Sequence, residues 1–194
     1  MMSDNPGLIE ALEPVAGILQ AMDVGFYIGG SVASSFHGAS RSTMDVDLVA
    51  DLKVKNVDQL VSRLQGEYYI SKAAINDAIA RLSCFNLIHL PSSFKVDIFI
   101  LKNRPFDINS MKRAKFGKID SENDFEFPIA SPEDTILSKL EWYRLGNEVS
   151  ERQWEDVARV MKILGDQADS EYLVRNAAEL KVSDLLQRLL DSII

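Results

Sequence analysis

Two glycines and two aspartates near the N-terminus constrain this chain more than any other feature. Gly29 and Gly30 end a short apolar run and precede Ser31, and Asp45 and Asp47 lie in a later apolar, β-branched run. Because side chains alternate across a strand, both aspartates point to one face, about 7 Å apart along the backbone. Two such carboxylates repel each other unless a cation lies between them, and hard oxygen ligands suit Mg²⁺ or Mn²⁺.

The Gly29-Gly30-Ser31 turn supplies the complementary half of such a site. Glycine N–H groups at the start of a predicted helix can hold an anion at close range. A phosphate-binding turn beside a carboxylate pair indicates phosphoryl or nucleotidyl transfer. The alternatives are a tight strand-to-helix turn without a ligand, a serine that only caps its helix, and a solvated strand end.

The glycine turn, Ser31 and the Asp-x-Asp-Leu sequence, in this order and spacing, resemble the DNA-polymerase-β-like nucleotidyltransferase superfamily. The lead-in residues Arg41 and Thr43 and the later helices are most similar to its AbiEii-type toxin branch. The resemblance implies an α+β fold with a nucleotidyltransferase-like mixed β-sheet flanked by helices and a C-terminal helical region. It also implies an NTP donor and two Mg²⁺ (or Mn²⁺) ions as cofactors.

The resemblance implies further site residues. A third catalytic and metal-binding carboxylate is expected on a later strand, and Asp97 is the best candidate, because an acid heading an apolar strand is costly to bury unpaired. The implied nucleotide-binding residues are Gly29, Gly30, Ser31, Arg41, Thr43, Lys139 and Asp156. Simpler interpretations are a surface lysine for Lys139, a helix ion pair with Arg152 or Arg159 for Asp156, and loop positions for Arg41 and Thr43.

Hydrophobic periodicity divides the chain in two. Residues 1–128 are predicted to form the α+β domain and residues 129–194 a helical region packed on it. Ser131, Pro132 and the acids after them are an N-cap signature that predicts a helix to residue 145. The segment 106–127 is predicted to be loop and edge strand, and Pro14 is expected to kink or divide the first helix.

Composition restricts the compartment and the partners. A formal net charge of −8 over 194 residues argues against broad affinity for nucleic acid, although residues 102–118 are locally basic. A single cysteine excludes an internal disulfide framework, and no apolar run reaches the roughly 18 residues of a membrane span. We therefore expect a cytoplasmic protein without a membrane partner.

The acceptor is where the sequence leaves alternatives open. The AbiEii-like resemblance implies a toxin of a toxin–antitoxin pair that adds nucleotides to RNA or tRNA and binds an antitoxin protein. The runner-up is a small-molecule nucleotidyltransferase of the aminoglycoside-modifying kind, acting on a small hydroxyl compound. A third possibility is a non-catalytic relic of the fold that binds a nucleotide or a partner protein.

Overall fold

The computed structural model describes residues 6–39, 43–120 and 123–193. The strands are β1 Phe26–Ile28, β2 Asp45–Ala50, β3 Tyr68–Tyr69, β4 Cys84–His89, β5 Lys95–Ile100, β6 Lys115–Gly117 and β7 Phe127–Ile129. The α-helices are α1 Pro6–Ala21, α2 Gly30–Phe36, α3 Val57–Leu64, α4 Lys72–Arg81, α5 Pro105–Arg113, α6 Pro132–Leu145, α7 Glu151–Leu164, α8 Ser170–Glu179 and α9 Ser183–Asp191. In the described part of the chain, no helix is long and apolar enough to cross a membrane.

The strands form one mixed sheet in the order β3-β4-β5-β2-β1-β7-β6. Strands β2 and β5 are parallel, as are β1 and β7, and the remaining neighbours are antiparallel. The predicted mixed sheet flanked by helices is confirmed. The two strands that carry the three predicted carboxylates are direct neighbours at the centre of this sheet.

Strand β2 has one buried and one open face. Val46, Leu48 and Ala50 are fully buried, whereas Asp45 and Asp47 on the opposite face are partly accessible. The buried face belongs to the first hydrophobic core, which also contains apolar side chains of α1, α3 and α4. Since a one-residue slip would exchange the two faces, burial of this face fixes the aspartates on the other one.

Helices α6 to α9 enclose a second hydrophobic core, which confirms the predicted C-terminal helical region. Helix α6 begins as its sequence predicts: the Ser131 hydroxyl accepts a hydrogen bond from the Asp134 N–H at 3.1 Å, and Pro132 occupies the first turn. Helix α6 packs against α2 and α7. The ring of Trp142 on α6 meets Phe99 on β5 at a centroid distance of 5.5 Å, so α6 lies beside the open sheet face.

The structure corrects two local expectations. Helix α5 occupies part of the segment predicted as loop; it has a proline in its first turn, Asp107 near its start, and Lys112 and Arg113 in its last turn, which are helix signals. Helix α1 runs through Pro14 without dividing, because buried residues on both sides, including Leu12 and Val15, hold it in the core. The division of the chain at residue 128 stays a proposal about its folding units.

Candidate active site

Strand register brings the three predicted carboxylates together. In the parallel pair of β2 and β5, Asp47 lies opposite Asp97, and Asp45 lies opposite Lys95. Asp45 and Asp47 line a cavity of about 1020 Å³, whereas Asp97 lies just outside its lining. A sequence separation of fifty residues is thus reduced to one strand spacing of about 4.8 Å between backbones.

Asp47 is the most perturbed of the three carboxylates. Burial, together with the negative charges of Asp45 and Asp97, raises the pKa of its carboxyl to about 6, while Lys139 and Lys95 act in the opposite direction. Within the described residues, no group donates a hydrogen bond or forms an ion pair with this carboxylate. A half-buried carboxylate without a donor, beside two others, is a site whose charge favours a cation.

The donor set fits Mg²⁺ or Mn²⁺, because these ions take a few carboxylates and complete their shell with water and phosphate oxygens. The site is not a closed metal cage. Among residues 6–39, 43–120 and 123–193, no group of three or more His, Cys, Asp or Glu side chains is arranged to hold an ion. Asp97 instead pairs with the ammonium of Lys95 at 2.6 Å. That hydrogen bond raises the pKa of Lys95, so the lysine stays charged beside the carboxylates.

We expect Lys95→Met to bind Mn²⁺ several-fold more tightly than the wild type in the absence of nucleotide. The ammonium competes with a metal for Asp97, and its removal leaves three carboxylates without this counter-charge. Titration followed by the electron paramagnetic resonance of free Mn²⁺ measures the change. Lys53→Met, which removes a lysine paired with Asp51, is the matched control. An unchanged or lower Mn²⁺ affinity in Lys95→Met would contradict the competition.

The glycine turn lies directly against the Asp47 carboxylate. The Gly29 N–H donates to the Asp47 carbonyl at 2.9 Å, which joins the end of β1 to β2. Gly30 has a φ of +56°, and a Cβ at this position would lie 1.7 Å from Oδ2 of Asp47. Ser31, the next residue, is buried and lines the cavity. Gly30 is therefore required by the close approach of the turn to the carboxylate as well as by its φ.

Gly30→Ala is expected to lose about 2 kcal/mol or more of unfolding free energy, since it adds both backbone strain and a clash with Asp47. Gly29→Ala is the matched control, because its Cβ would meet nothing within 4 Å, and it should cost less than about 1 kcal/mol. Urea denaturation of both variants without metal provides the comparison. Equal losses would show that the contact with Asp47 is unimportant.

Lys139 and Asp156 form a buried ion pair between α6 and α7. The Lys139 ammonium donates to the Asp156 carboxylate at 2.8 Å, and their side chains are only 9% and 4% exposed. Lys139 also lines the cavity, and its charge lowers the pKa of Asp47. The structure thus brings both residues to one place, with Lys139 facing the cavity and Asp156 outside its lining.

Thr43 holds the carboxylate of Asp45. Its hydroxyl donates to Oδ1 of Asp45 at 2.6 Å and lies 3.2 Å from the Asp45 carbonyl oxygen. Thr43 is buried and lines the cavity, so its nearest role is to orient a predicted metal ligand. Arg41, the other lead-in residue, lies outside the described residues.

The cavity also has walls that the sequence interpretation missed. Phe99 and Trp142 line it. Phe99 could have been found, because it follows Asp97 by two residues on the same face. Cys84 lines the cavity too; although the residue is exposed, partial burial and the negative charges of Asp97 and Asp47 raise the pKa of its thiol.

Much of the basic segment 102–118 is neutralised. The Arg104 guanidinium binds both carboxylate oxygens of Asp107 and of Glu141, and Arg113 pairs with Glu133 and Asp134. Lys118 pairs with Asp124. Of these acids, Glu133, Asp134 and Glu141 are distant in sequence, so the segment is not the continuous basic patch that its composition predicts.

Comparisons with known proteins agree with this architecture. No family model matches the chain, and no curated protein matches its sequence. The antibiotic-resistance factor ANT(2'')-Ia is similar in structure, with a TM-score of 0.56 and 12% identity over 95% of this chain and 98% of that one. An antigenic nucleotidyltransferase-like protein from Paracoccidioides brasiliensis has a TM-score of 0.54 and 15% identity over 95% of this chain and 93% of its own. The chain therefore has the nucleotidyltransferase-like α+β fold.

Proposed function

We propose that this chain is a metal-dependent nucleotidyltransferase that moves a nucleoside monophosphate from an NTP to an acceptor hydroxyl. The observation that carries the proposal is the environment of Asp47. This carboxylate has no donor among the described residues, lies between Asp45 and Asp97, and is in contact range of the Gly30 turn. The fold is that of nucleotidyltransferase-like proteins.

In this proposal Asp45 and Asp47 would hold Mg²⁺ or Mn²⁺, with Asp97 as a third ligand in place of its contact with Lys95. The bound ion would neutralise phosphate charge and lower the pKa of the acceptor hydroxyl. Thr43 keeps the Asp45 carboxylate in position through its 2.6 Å hydrogen bond. The Asp47 carboxylate stays ionised above pH 6 and holds its charge for the metal.

The remaining predicted residues would bind the triphosphate. The Gly29 N–H already donates to the Asp47 carbonyl, so in the turn of Gly29, Gly30 and Ser31 the backbone N–H groups of Gly30 and Ser31 would bind phosphate. Lys139 faces the cavity and supplies positive charge, and Asp156 holds its ammonium in place. Arg41 is retained as a proposed nucleotide contact.

The reaction itself is an in-line displacement. The acceptor oxygen forms a bond to the α-phosphorus, and the bond from that phosphorus to the bridging oxygen of pyrophosphate breaks. Pyrophosphate leaves with the electron pair, and the hydroxyl proton passes to water. The residues of this chain contribute positioning and charge, which is the main part of catalysis in transfers of this kind.

Two acceptor classes have an observation in their favour. The AbiEii-like sequence features favour RNA or tRNA, and with it a toxin controlled by an antitoxin protein. The fold likeness to an antibiotic-resistance factor favours a small hydroxyl compound.

The test is pyrophosphate release in the presence of Mg²⁺, each of the four NTPs and a panel of acceptors. We expect release that depends on metal and disappears in Asp47→Asn. Labelled nucleotide should appear in RNA if RNA is the acceptor, and in a small product if it is not. NTP binding without pyrophosphate release from any acceptor would favour a non-catalytic relic and overturn the proposal.

A further inference from the structure

If the proposed function holds, the order of the strands divides the candidate site into a side for the triphosphate and a side for the acceptor. Strand β2, with Asp45 and Asp47, lies between β1, which leads into the glycine turn, and β5, which carries Asp97. The triphosphate belongs on the side of the glycine turn. The acceptor hydroxyl must approach the α-phosphorus from the opposite side, because the displacement is in line. The acceptor therefore lies over β5.

The wall of the cavity on the β5 side is aromatic. Phe99 follows Asp97 on the same face, and its ring meets Trp142 edge-on at 5.5 Å and 62°. Trp142 is 46% exposed although it lines the cavity, so much of its ring is open to a ligand. Aromatic faces of this kind stack with bases, and such contacts tolerate any base.

Acidic side chains are not free on this side. Apart from the pair on β2, the acids in the described lining are Asp107 and Glu141. Both oxygens of each are bound by the Arg104 guanidinium, at 2.6 and 2.9 Å for Asp107 and with Nη1 and Nη2 for Glu141. Arg104 is thus shared by the two carboxylates and offsets part of their negative charge.

Two basic side chains of the same lining are free of acids. Lys102, just after β5, and Arg152, in the first turn of α7, line the cavity and form no ion pair within the described residues. The other lining cations, Lys95, Arg104 and Lys139, are each paired. The cavity therefore offers unpaired positive charge beside an aromatic wall, a combination that matches a base and its phosphate.

We propose that the acceptor is of nucleotide type, with its base against Trp142 and Phe99 and a phosphate near Lys102 and Arg152. The same chemistry is present in the 3′ end of a single-stranded nucleic acid and in a free mononucleotide.

Binding can be tested without turnover, in chelator and with no NTP. A labelled single-stranded RNA oligonucleotide is followed by fluorescence anisotropy, and a nucleoside 5′-monophosphate competes with it. We expect Trp142→Ala to weaken binding at least about fivefold, and the double variant Lys102→Glu/Arg152→Glu to weaken it at least about tenfold. Controls are Val149→Ala, which truncates an exposed apolar residue outside the lining, and Lys162→Glu, an exposed charge reversal on α7.

If the mononucleotide competes at a concentration similar to that of the oligonucleotide, the acceptor is a free mononucleotide. If it competes much more weakly, the acceptor is the 3′ end of a single-stranded nucleic acid. Equal affinities in the double variant and in Lys162→Glu would overturn the inference, as would transfer to an aminoglycoside in preference to both nucleotide acceptors.

Loss of RNA binding in Trp142→Ala without pyrophosphate release by the wild type would keep this inference and reject the proposed function. Transfer only to small neutral or cationic compounds would keep the function and reject the inference.

Discussion

Asp47→Asn is expected to reduce nucleotide transfer by about 100-fold or more and, at the same time, to stabilise the metal-free protein above pH 6. The loss follows from removing a charge that the metal requires. The gain follows from burial and from the neighbouring Asp45 and Asp97, which destabilise the ionised carboxylate in the folded state. Asparagine keeps the shape of the side chain, so both effects report the charge.

The pH dependence of this stability difference has a definite sign. The pKa of Asp47 in the folded state, about 6, is above the ordinary value of 3.8. The protonated carboxyl is therefore favoured by folding; its stabilising contribution is complete below about pH 4 and is lost as the pH rises through 6. A rise of this size corresponds to at most about 3 kcal/mol. The advantage of Asp47→Asn should grow from pH 4 to pH 7 and then level off.

Urea denaturation in chelator at several pH values measures this curve. Asp166→Asn, at an exposed position, is the control and should leave the curve of the wild type unchanged. A variant Asp47→Asn that is less stable than the wild type at pH 8 would show that the carboxylate makes a favourable structural contact. Transfer at the wild-type rate would remove Asp47 from the site.

Lys139→Met is expected to lose about 3–5 kcal/mol of unfolding free energy, because it leaves the Asp156 carboxylate buried without its ammonium. Asp156→Leu should cost a similar amount for the reciprocal reason. The double variant Lys139→Met/Asp156→Leu should lose clearly less than the sum, since it leaves neither charge behind. Urea denaturation of the four proteins gives the coupling free energy.

An exposed ion pair within α7, the helix that carries Asp156, provides the control for this double-mutant cycle. Arg159 and Glu155 lie 3.5 Å apart, with side chains 57% and 64% exposed, and Arg159→Met should cost less than about 1 kcal/mol. Losses that simply add for Lys139 and Asp156 would mean that the two residues act independently. In that case Asp156 would not be a positioning residue for Lys139.

Local sequence patterns were enough to predict much of the fold and some of the site. The alternation in β2 predicted that Asp45 and Asp47 share a face, and the Ser131 cap predicted α6. The register between β2 and β5 could not be predicted, because strand pairing depends on packing of the whole sheet. Without it, neither the position of Asp97 beside Asp47 nor that of Lys95 beside Asp45 follows from the sequence.

Contacts between side chains distant in sequence could not be predicted either. Lys139 and Asp156 were both candidates, but their direct contact across two helices depends on how α6 packs on α7. The composition of residues 102–118 predicts free positive charge. In the structure, Arg104 reaches Glu141 on α6, and Arg113 reaches Glu133 and Asp134 in the first turn of α6. Charge composition gives an upper limit on free charge, and only the tertiary contacts determine how much of it remains.

The contact between Gly30 and Asp47 has a consequence for how this protein can change. The missing Cβ at position 30 is the space that one carboxylate oxygen of Asp47 uses. Mutagenesis libraries that vary position 30 alone should recover almost only glycine, and libraries that vary position 47 alone under selection for activity should recover almost only aspartate. A smaller residue at position 47 would remove the clash with a side chain at position 30 and leave only the strain of its positive φ. Loss of activity would then be hard to reverse, because restoring the aspartate would also require restoring the glycine.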